Sequence, residues 1–293
     1  MRDEGYAAAT SRRVATEAFP PGIPRIAFPT GNDPSAATWA SIIAANAPYA
    51  ASPVRAMDEV ATIIYTSGTT GTPKGVLHRF ASFGYFVRAQ TRVVGEPTND
   101  RFLSYLPLAH IAERALVEAL AIYSGQRIFF VESAETFLED LRRARPTIFF
   151  SVPRLYIKFQ QRILEKVPQH KLDRLLRIPV VRRLVQRRIL RQLGLDCNYI
   201  ATSGGAPLPM ATLLWFRKLG LHLVEGYGMT ETGITHTPRN GLSRPGYVGD
   251  AIECAEVKIS ESGEVLIKSP MNMLGYYKDP EATKAAFTED GFF

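Results

Sequence analysis

The chain has 293 residues, 46% of them hydrophobic and 22% charged, with a formal net charge of +7. That length buries a sizeable core in one large domain or two smaller ones, and the composition excludes a disordered or fibrous chain. No apolar run approaches the roughly 18 residues of a membrane span, the start carries no apolar signal core, and Cys197 and Cys254 lack metal or disulfide spacing, so a cytoplasmic setting is expected.

Residues 1–56 are rich in Ala and Pro with one short strand-like run, "RIAF", and read as a connecting arm. From Ala61 the chain alternates. "ATIIYTS" is a β-branched apolar run, followed by a glycine-rich loop and a helix-like stretch, "HRFASFGYFVRAQTRV". "RFLSYLPL" is strand-like and "AHIAERALVEALAIY" helical; "RIFFV" and "TIFFSV" are buried-strand candidates separated by helical "ETFLEDLRRA". In "PRLYIKFQQRILEK", Leu155, Tyr156, Phe159 and Ile163 share one helical face, and Pro153 stands where its missing N–H costs nothing. "NYIATSG", "MATLLWFRKLG" and "LHLVEGYG" complete the series. Alternation of this kind predicts an α/β fold, mainly parallel sheets covered by helices, with ligands beyond the carboxyl ends of the strands. After Pro238 the text changes to short strands and turns, which predicts a small barrel-like β section near the C-terminus. The expected organisation is an arm at 1–56, an α/β core at 57–238, and a β-rich section of the same domain at 239–293.

The loop "YTSGTTGTPKGV", Tyr65 to Val76, carries the chemistry. Glycines permit close backbone approach, Thr66, Ser67, Thr69, Thr70 and Thr72 supply hydroxyl donors, and Lys74 supplies a point charge, a composition suited to phosphate. It is not a P-loop of the NTPase kind: Pro73 before Lys74 has no N–H, and Gly75 stands where a metal-binding hydroxyl belongs.

"YTSGTTGTPKGV" resembles the phosphate loop of the adenylate-forming enzymes, which include acyl-CoA synthetases, peptide-synthetase adenylation domains and luciferases. "EGYGMTET", Glu225 to Thr232, resembles their second signature, and "GEVLIKSPMNMLGYYKDPEATKAAF" their third. The resemblance covers roughly 57–293. It implies a phosphate loop spanning Thr66, Ser67, Gly68, Thr69, Thr70, Gly71, Thr72 and Lys74. It also implies a nucleotide cradle at Glu225, Gly226, Tyr227, Gly228 and Thr230, with Tyr227 stacking on adenine and Thr230 reaching the α-phosphate. By the same resemblance Glu231 holds Mg²⁺, and Gly205 and Ala206 of "SGGAPLP" wall the adenine and the acyl group. "LSYLPLAHIAER" and "SVPRLYIKFQQRI" are similar to segments of the long-chain fatty acyl-CoA synthetase branch. His110 there either steers the carboxylate or the CoA step, or caps the helix that follows; Glu113 and Arg114 read as a local ion pair.

The implied activity is a long-chain fatty acid–CoA ligase. A fatty acid and ATP give acyl-AMP and pyrophosphate, and CoA then displaces AMP, with Lys74, His110, Thr230 and Glu231 as the catalytic set. Alternatives are another adenylate-forming ligase (an acyl-AMP ligase, or an aryl- or amino-acid activator) and a non-catalytic nucleotide- or lipid-binding protein. The family also carries a portion before the loop and, after the point matching Phe293, a ribose-binding aspartate and a small lid domain. The chain is therefore expected to be a middle stretch of a longer enzyme, inactive alone.

Between Arg142 and Arg191 stand 15 Lys or Arg against only Glu165 and Asp173, a net +13. Within it, 171–193 interleaves Leu172, Leu176, Leu184 and Ile189 with basic residues. Two readings stay open: a helix pair packed on its own domain with a solvated basic face, or peripheral contact with the anionic inner face of a membrane. No nucleic-acid motif accompanies the charge, so no nucleic-acid partner is expected.

Overall fold

The computed structural model describes residues 8–10, 25–27, 37–48, 50–51, 54–66, 72–95, 99–238 and 244–293. Two compact units divide between Val54 and Arg55. In the first, β1 (Ala8–Thr10), β2 (Arg25–Ala27) and β3 (Ala37–Thr38) form a parallel sheet in that order, and α1 (Trp39–Ala45) follows. Thr38 starts that helix by accepting the Ser41 N–H at 3.0 Å, a side-chain cap.

The second unit holds the mixed α/β architecture. Its first sheet is antiparallel: β4 (Val60–Thr66) and β15 (Gly275–Tyr276) flank β5 (Lys74–Arg79). The glycine loop therefore closes a β-hairpin, with Thr66 paired opposite Lys74. This corrects the expected strand–loop–helix order. "KGVLHR" is a strand because it finds backbone partners on both sides, one of them some 200 residues away. The helix expected from His78 begins at Phe80, as α2 (Phe80–Val94).

Two parallel sheets follow. One pairs β6 (Arg101–Ser104) with β7 (Arg127–Phe130); the other runs β10 (Leu223–Glu225), β9 (Ile200–Ser203), β8 (Ile148–Ser151). The Thr147 N–H donates to Arg101 O at 3.0 Å and brings β8 beside β6. Helices α4 (Phe137–Ala144), α5 (Pro153–Lys166), α6 (Gln169–Arg177), α7 (Pro179–Leu193) and α8 (Met210–Lys218) cover these strands. They enclose a core centred on Phe149, Tyr156, Phe159, Phe216 and Leu223, each at most 2% exposed. Each such side chain contributes on the order of 1.5–3 kcal/mol by leaving water. A second core joins Phe86, Phe102, Ala115, Leu120, Ile148 and Met271.

The "AHIAERALVEALAIY" helix is π-helical over Glu113–Ala119 before it tightens into α3 (Leu120–Ser124). Glu113 and Arg114 do not pair: neighbours on a helix point in different directions. Arg114 instead reaches Glu118 one turn on at 3.2 Å, and Glu113, buried, accepts the Ser104 hydroxyl. After Pro238 the chain forms an antiparallel hairpin, β13 (Glu256–Ile259) with β14 (Val265–Lys268), and α9 (Pro280–Ala286). No strands close into a barrel among the described residues of this section.

The helix pair α6–α7 packs on its own unit through Leu172, Leu176, Ile189 and Leu193. Ile178, Val180 and Leu184 stay exposed beside Arg182, Arg183 and Arg187. Among the described residues no helix is long and apolar enough to cross a membrane.

Candidate functional site

β5 delivers two site residues from one strand. Lys74 opens it, and His78, four residues on, points into the protein and is 2% exposed. The His78 Nε2–H donates to Thr230 O at 2.8 Å, which ties the "EGYGMTET" segment to the strand below the glycine loop. Burial pushes the His78 pKa down, and the Thr230 carbonyl opposes that shift. A neutral imidazole donating through Nε2 is the consistent state.

The second signature forms β11 (Tyr227–Met229), paired antiparallel with β12 (Gly233–His236). Gly228 has a steric reason to be glycine: a Cβ there would lie 2.2 Å from Gly233 O and 2.6 Å from Ile234 Cα. Tyr227 meets His236 edge-on, ring centroids 5.5 Å apart. Glu225, expected at the nucleotide, spends one carboxylate oxygen on the Leu208 N–H at 3.0 Å and so braces the 204–209 loop. The Gly226 N–H donates to Ser203 O at 2.9 Å and fixes that loop's other end. Gly205, φ +79°, and Ala206 sit exposed in the same loop.

Residues from several strands, helices and loops enclose a cavity of about 80 Å³. Gly204, Gly205, Gly226, Tyr227, Gly228 and His110 line it together with apolar Phe102, Ile111, Leu116, Leu120, Ile148 and Phe150. His110 is open to solvent on one side and flanked by protein on the other, which lowers its pKa. Its Nδ1 accepts the Ala112 N–H at 3.1 Å, so it caps the following turn and faces the cavity at once.

Beside this cavity along the chain, two residues past Met229, lies a charged cluster. The Tyr276 hydroxyl donates to Glu231 Oε1 at 3.0 Å, and the Lys74 ammonium lies 4.8 Å from the Tyr276 ring centroid. The backbone repeats the link: the Met273 N–H donates to Glu231 O at 2.7 Å. Desolvation and the Glu231 carboxylate raise the Tyr276 pKa, so the phenol stays protonated and donates. Residues of all three signatures thus meet at one point.

Of the sequence-predicted residues, Lys74, Thr230 and Glu231 belong to this cluster or its backbone ties. His110, Gly205, Gly226, Tyr227 and Gly228 line the cavity, and Glu225 is a brace. Thr66 and Thr72 flank the hairpin loop, and Ser67, Gly68, Thr69, Thr70 and Gly71 lie outside the described residues. His78 and Tyr276 escaped sequence reasoning, although Tyr276 stands inside the third signature. Among the described residues no three His, Cys, Asp or Glu side chains gather as a metal cage. A single carboxylate such as Glu231 still suits Mg²⁺, which is usually held by one or two carboxylates together with substrate phosphates.

Comparison with known proteins bears on what this arrangement serves. The profile of the AMP-binding enzyme family matches residues 15–277. The peroxisomal long chain acyl-CoA synthetase 6 of Arabidopsis thaliana is 35% identical over 270 residues, covering 80% of this chain and 38% of the relative. The putative fatty-acid–CoA ligase fadD11 of Mycobacterium tuberculosis is 32% identical, covering 80% of this chain and 46% of the relative. The chain thus spans less than half the length of these curated relatives. Among solved structures, ATP-bound MatB from Rhodopseudomonas palustris superposes with a TM-score of 0.63 at 28% identity, over 82% of this chain and 45% of that one.

Proposed function

Because the chain belongs to the AMP-binding enzyme family, we propose that it carries the nucleotide and acyl site of a long-chain fatty acid–CoA ligase. In the first half-reaction the fatty carboxylate attacks the α-phosphorus of ATP, the bond to pyrophosphate breaks, and acyl-AMP remains. In the second, the CoA thiol attacks the acyl carbon and AMP leaves. Lys74 faces the charge that builds on the leaving pyrophosphate, where a fixed cation acts most strongly. Glu231 would hold Mg²⁺, which would supply charge neutralisation to the phosphates. The Tyr227 ring offers adenine a face, the Thr230 hydroxyl reaches the α-phosphate, and His110 stands beside the acyl cavity.

The observation that carries this reading is the meeting of Lys74 and Glu231 at Tyr276, two residues from a cavity lined by Tyr227 and Gly205. It is tested by ATP–pyrophosphate exchange with palmitate in the complete enzyme of which this stretch is expected to be part. Lys74→Ala and Glu231→Ala should each lower exchange by about 10²-fold, the effect of losing one charge-stabilising group. Exchange near the unaltered level in both variants refutes the assignment.

A second reading, activation of a short acid, is favoured by cavity size alone. About 80 Å³ is well below the roughly 300–1,000 Å³ of ordinary ligand pockets. A long chain needs this space to open, whereas a short acid does not, so exchange supported by malonate and not by palmitate selects the second reading.

We also propose that α6–α7 rests on an anionic membrane surface, at the cytoplasmic face where acyl substrates reside. Val180 and Leu184, one turn apart, stand exposed with Arg183 and Arg187 on the same side of α7. Apolar contact plus basic flanks is the chemistry of interfacial helices.

A further inference from the structure

We propose that Tyr276 is a positioning residue that aims the Glu231 carboxylate at the metal and seats the Lys74 ammonium, so that metal and phosphate binding act as one unit. This rests on the adenylate-forming reading above and deepens it.

The placement follows from sheet geometry. Tyr276 on β15 pairs with Val76 on β5. Residues two apart on a strand share a face, so Lys74 is the diagonal neighbour of Tyr276, within reach of an aromatic side chain. The ring accordingly lies under the ammonium at 4.8 Å. The phenol then extends past it to Glu231 Oε1 at 3.0 Å. A single side chain touches both charges, and each leaves its far side for a ligand: Glu231 its second oxygen, Lys74 its N–H groups.

The contact is fixed at the main chain of both partners. Thr283 Oγ1 accepts the Tyr276 N–H at 2.8 Å, and Asp279 O accepts the same threonine's hydroxyl at 2.8 Å. The Tyr277 N–H donates to Gly75 O at 2.7 Å, beside Lys74, and the Met273 N–H holds Glu231 O. Neither end is left to adjust when a metal arrives. A ring that merely filled the sheet would have no need of the hydroxyl, and Phe would do as well. The hydroxyl bond to Glu231 is the feature that separates positioning from packing, because carboxylates that ligate metals are commonly held by such outer partners.

The test uses the full chain and reads binding rather than turnover. ATP affinity is measured by titration calorimetry across a series of Mg²⁺ concentrations, with melting temperature recorded with and without the metal. Tyr276→Phe keeps the ring under Lys74 and removes the donor. It should raise the half-saturating Mg²⁺ concentration about ten-fold, the lower end of what losing such a partner costs. Added to Glu231→Gln, it should bring no further loss, because the bond it removes no longer serves a ligand. Tyr276→Leu should also weaken ATP binding in the absence of metal, since Lys74 loses its seat.

Mg²⁺ titration within two-fold of the unaltered chain in Tyr276→Phe, while Glu231→Gln loses its metal response, overturns the proposal and leaves the nucleotide reading standing. A lowered melting temperature with an unchanged metal titration also overturns it, because that is a packing role. If the unaltered chain binds no Mg²⁺–ATP, the nucleotide reading fails and this proposal falls with it.

Discussion

Gly228→Ala isolates what a motif glycine is for. The added Cβ would sit 2.2 Å from Gly233 O, about 1.2 Å inside the 3.4 Å at which ordinary contact begins, and 2.6 Å from Ile234 Cα. Both neighbours are backbone of the partner strand, so no rotamer change relieves the overlap. β11 and β12 must part, and only three residue pairs hold them together. Overpacking of a core costs about 1–3 kcal/mol, and a clash against main chain belongs at the upper end, near 3. At about 2–4 °C per kcal/mol for a unit of this size, melting should fall by roughly 6–12 °C. Gly205→Ala is the control. Its φ of +79° disfavours a side chain, yet among the described residues no atom lies within 4 Å of the new Cβ. Left-handed strain alone costs about 1–2 kcal/mol, which predicts a fall of roughly 2–8 °C. Thermal melts followed by circular dichroism decide it. If Gly228→Ala melts within about 1 °C of the unaltered protein, or Gly205→Ala is the more damaging, close strand approach is not why position 228 is glycine.

Two further outcomes follow from charge. His78, His110, His222 and His236 all have pKa values held below the ordinary 6.5, with burial as the first cause of each. The unfolded chain therefore takes up protons first as pH falls below that value, and stability drops there. Glu113, its pKa pushed up by burial, opposes the trend as it takes up its proton. Melting temperature should decline from about pH 7.5 to about pH 5.5, and His78→Gln, which keeps a donor for Thr230 O, should flatten the slope; a flat or rising profile in the unaltered protein contradicts this. For α7, flotation with anionic vesicles at low salt should succeed, and Arg183→Glu with Arg187→Glu, or about 0.5 M salt, should abolish it. Failure to float removes the membrane contact, and equal binding to neutral vesicles removes its dependence on anionic lipid.

Much of the fold was legible because its signals are local. β7, α4, β8, α5 and β9 each announce themselves by apolar period and by punctuation such as Pro153, and the structure places them where expected. β5 was not legible. "KGVLHR" mixes charge, glycine and short apolar runs, and it becomes a strand only through pairing with β4 and the distant β15. The contacts that escaped share that property. His78 meets Thr230 across 152 positions, and Glu231 meets Tyr276 across 45. The Glu113–Arg114 pair failed for the converse reason, since adjacency in sequence does not bring helix side chains together.

The same distinction divides the motif residues by the physics that requires them. Gly75 looks like part of a phosphate loop, yet a Cβ there would crowd Ile63 Cγ2 at 3.0 Å, Tyr65 Cζ at 3.1 Å and Tyr277 Cβ at 3.2 Å. It is glycine so that three strands can lie together. Gly228 answers to β12, Glu225 to the Leu208 N–H, and His78 to the Thr230 carbonyl. These groups are already engaged within the protein, which leaves Lys74, Tyr227, the Thr230 hydroxyl and one oxygen of Glu231 as the groups the proposed function directs at the nucleotide. Gly75, Gly228, Glu225 and His78 serve as framework, and the framework aims the rest: β5 carries Lys74, β15 carries Tyr276, and their pairing sets the cation and the carboxylate on one ring. Substitutions in the two groups should therefore differ in kind, with framework changes lowering melting temperature and ligand changes lowering affinity at unchanged stability.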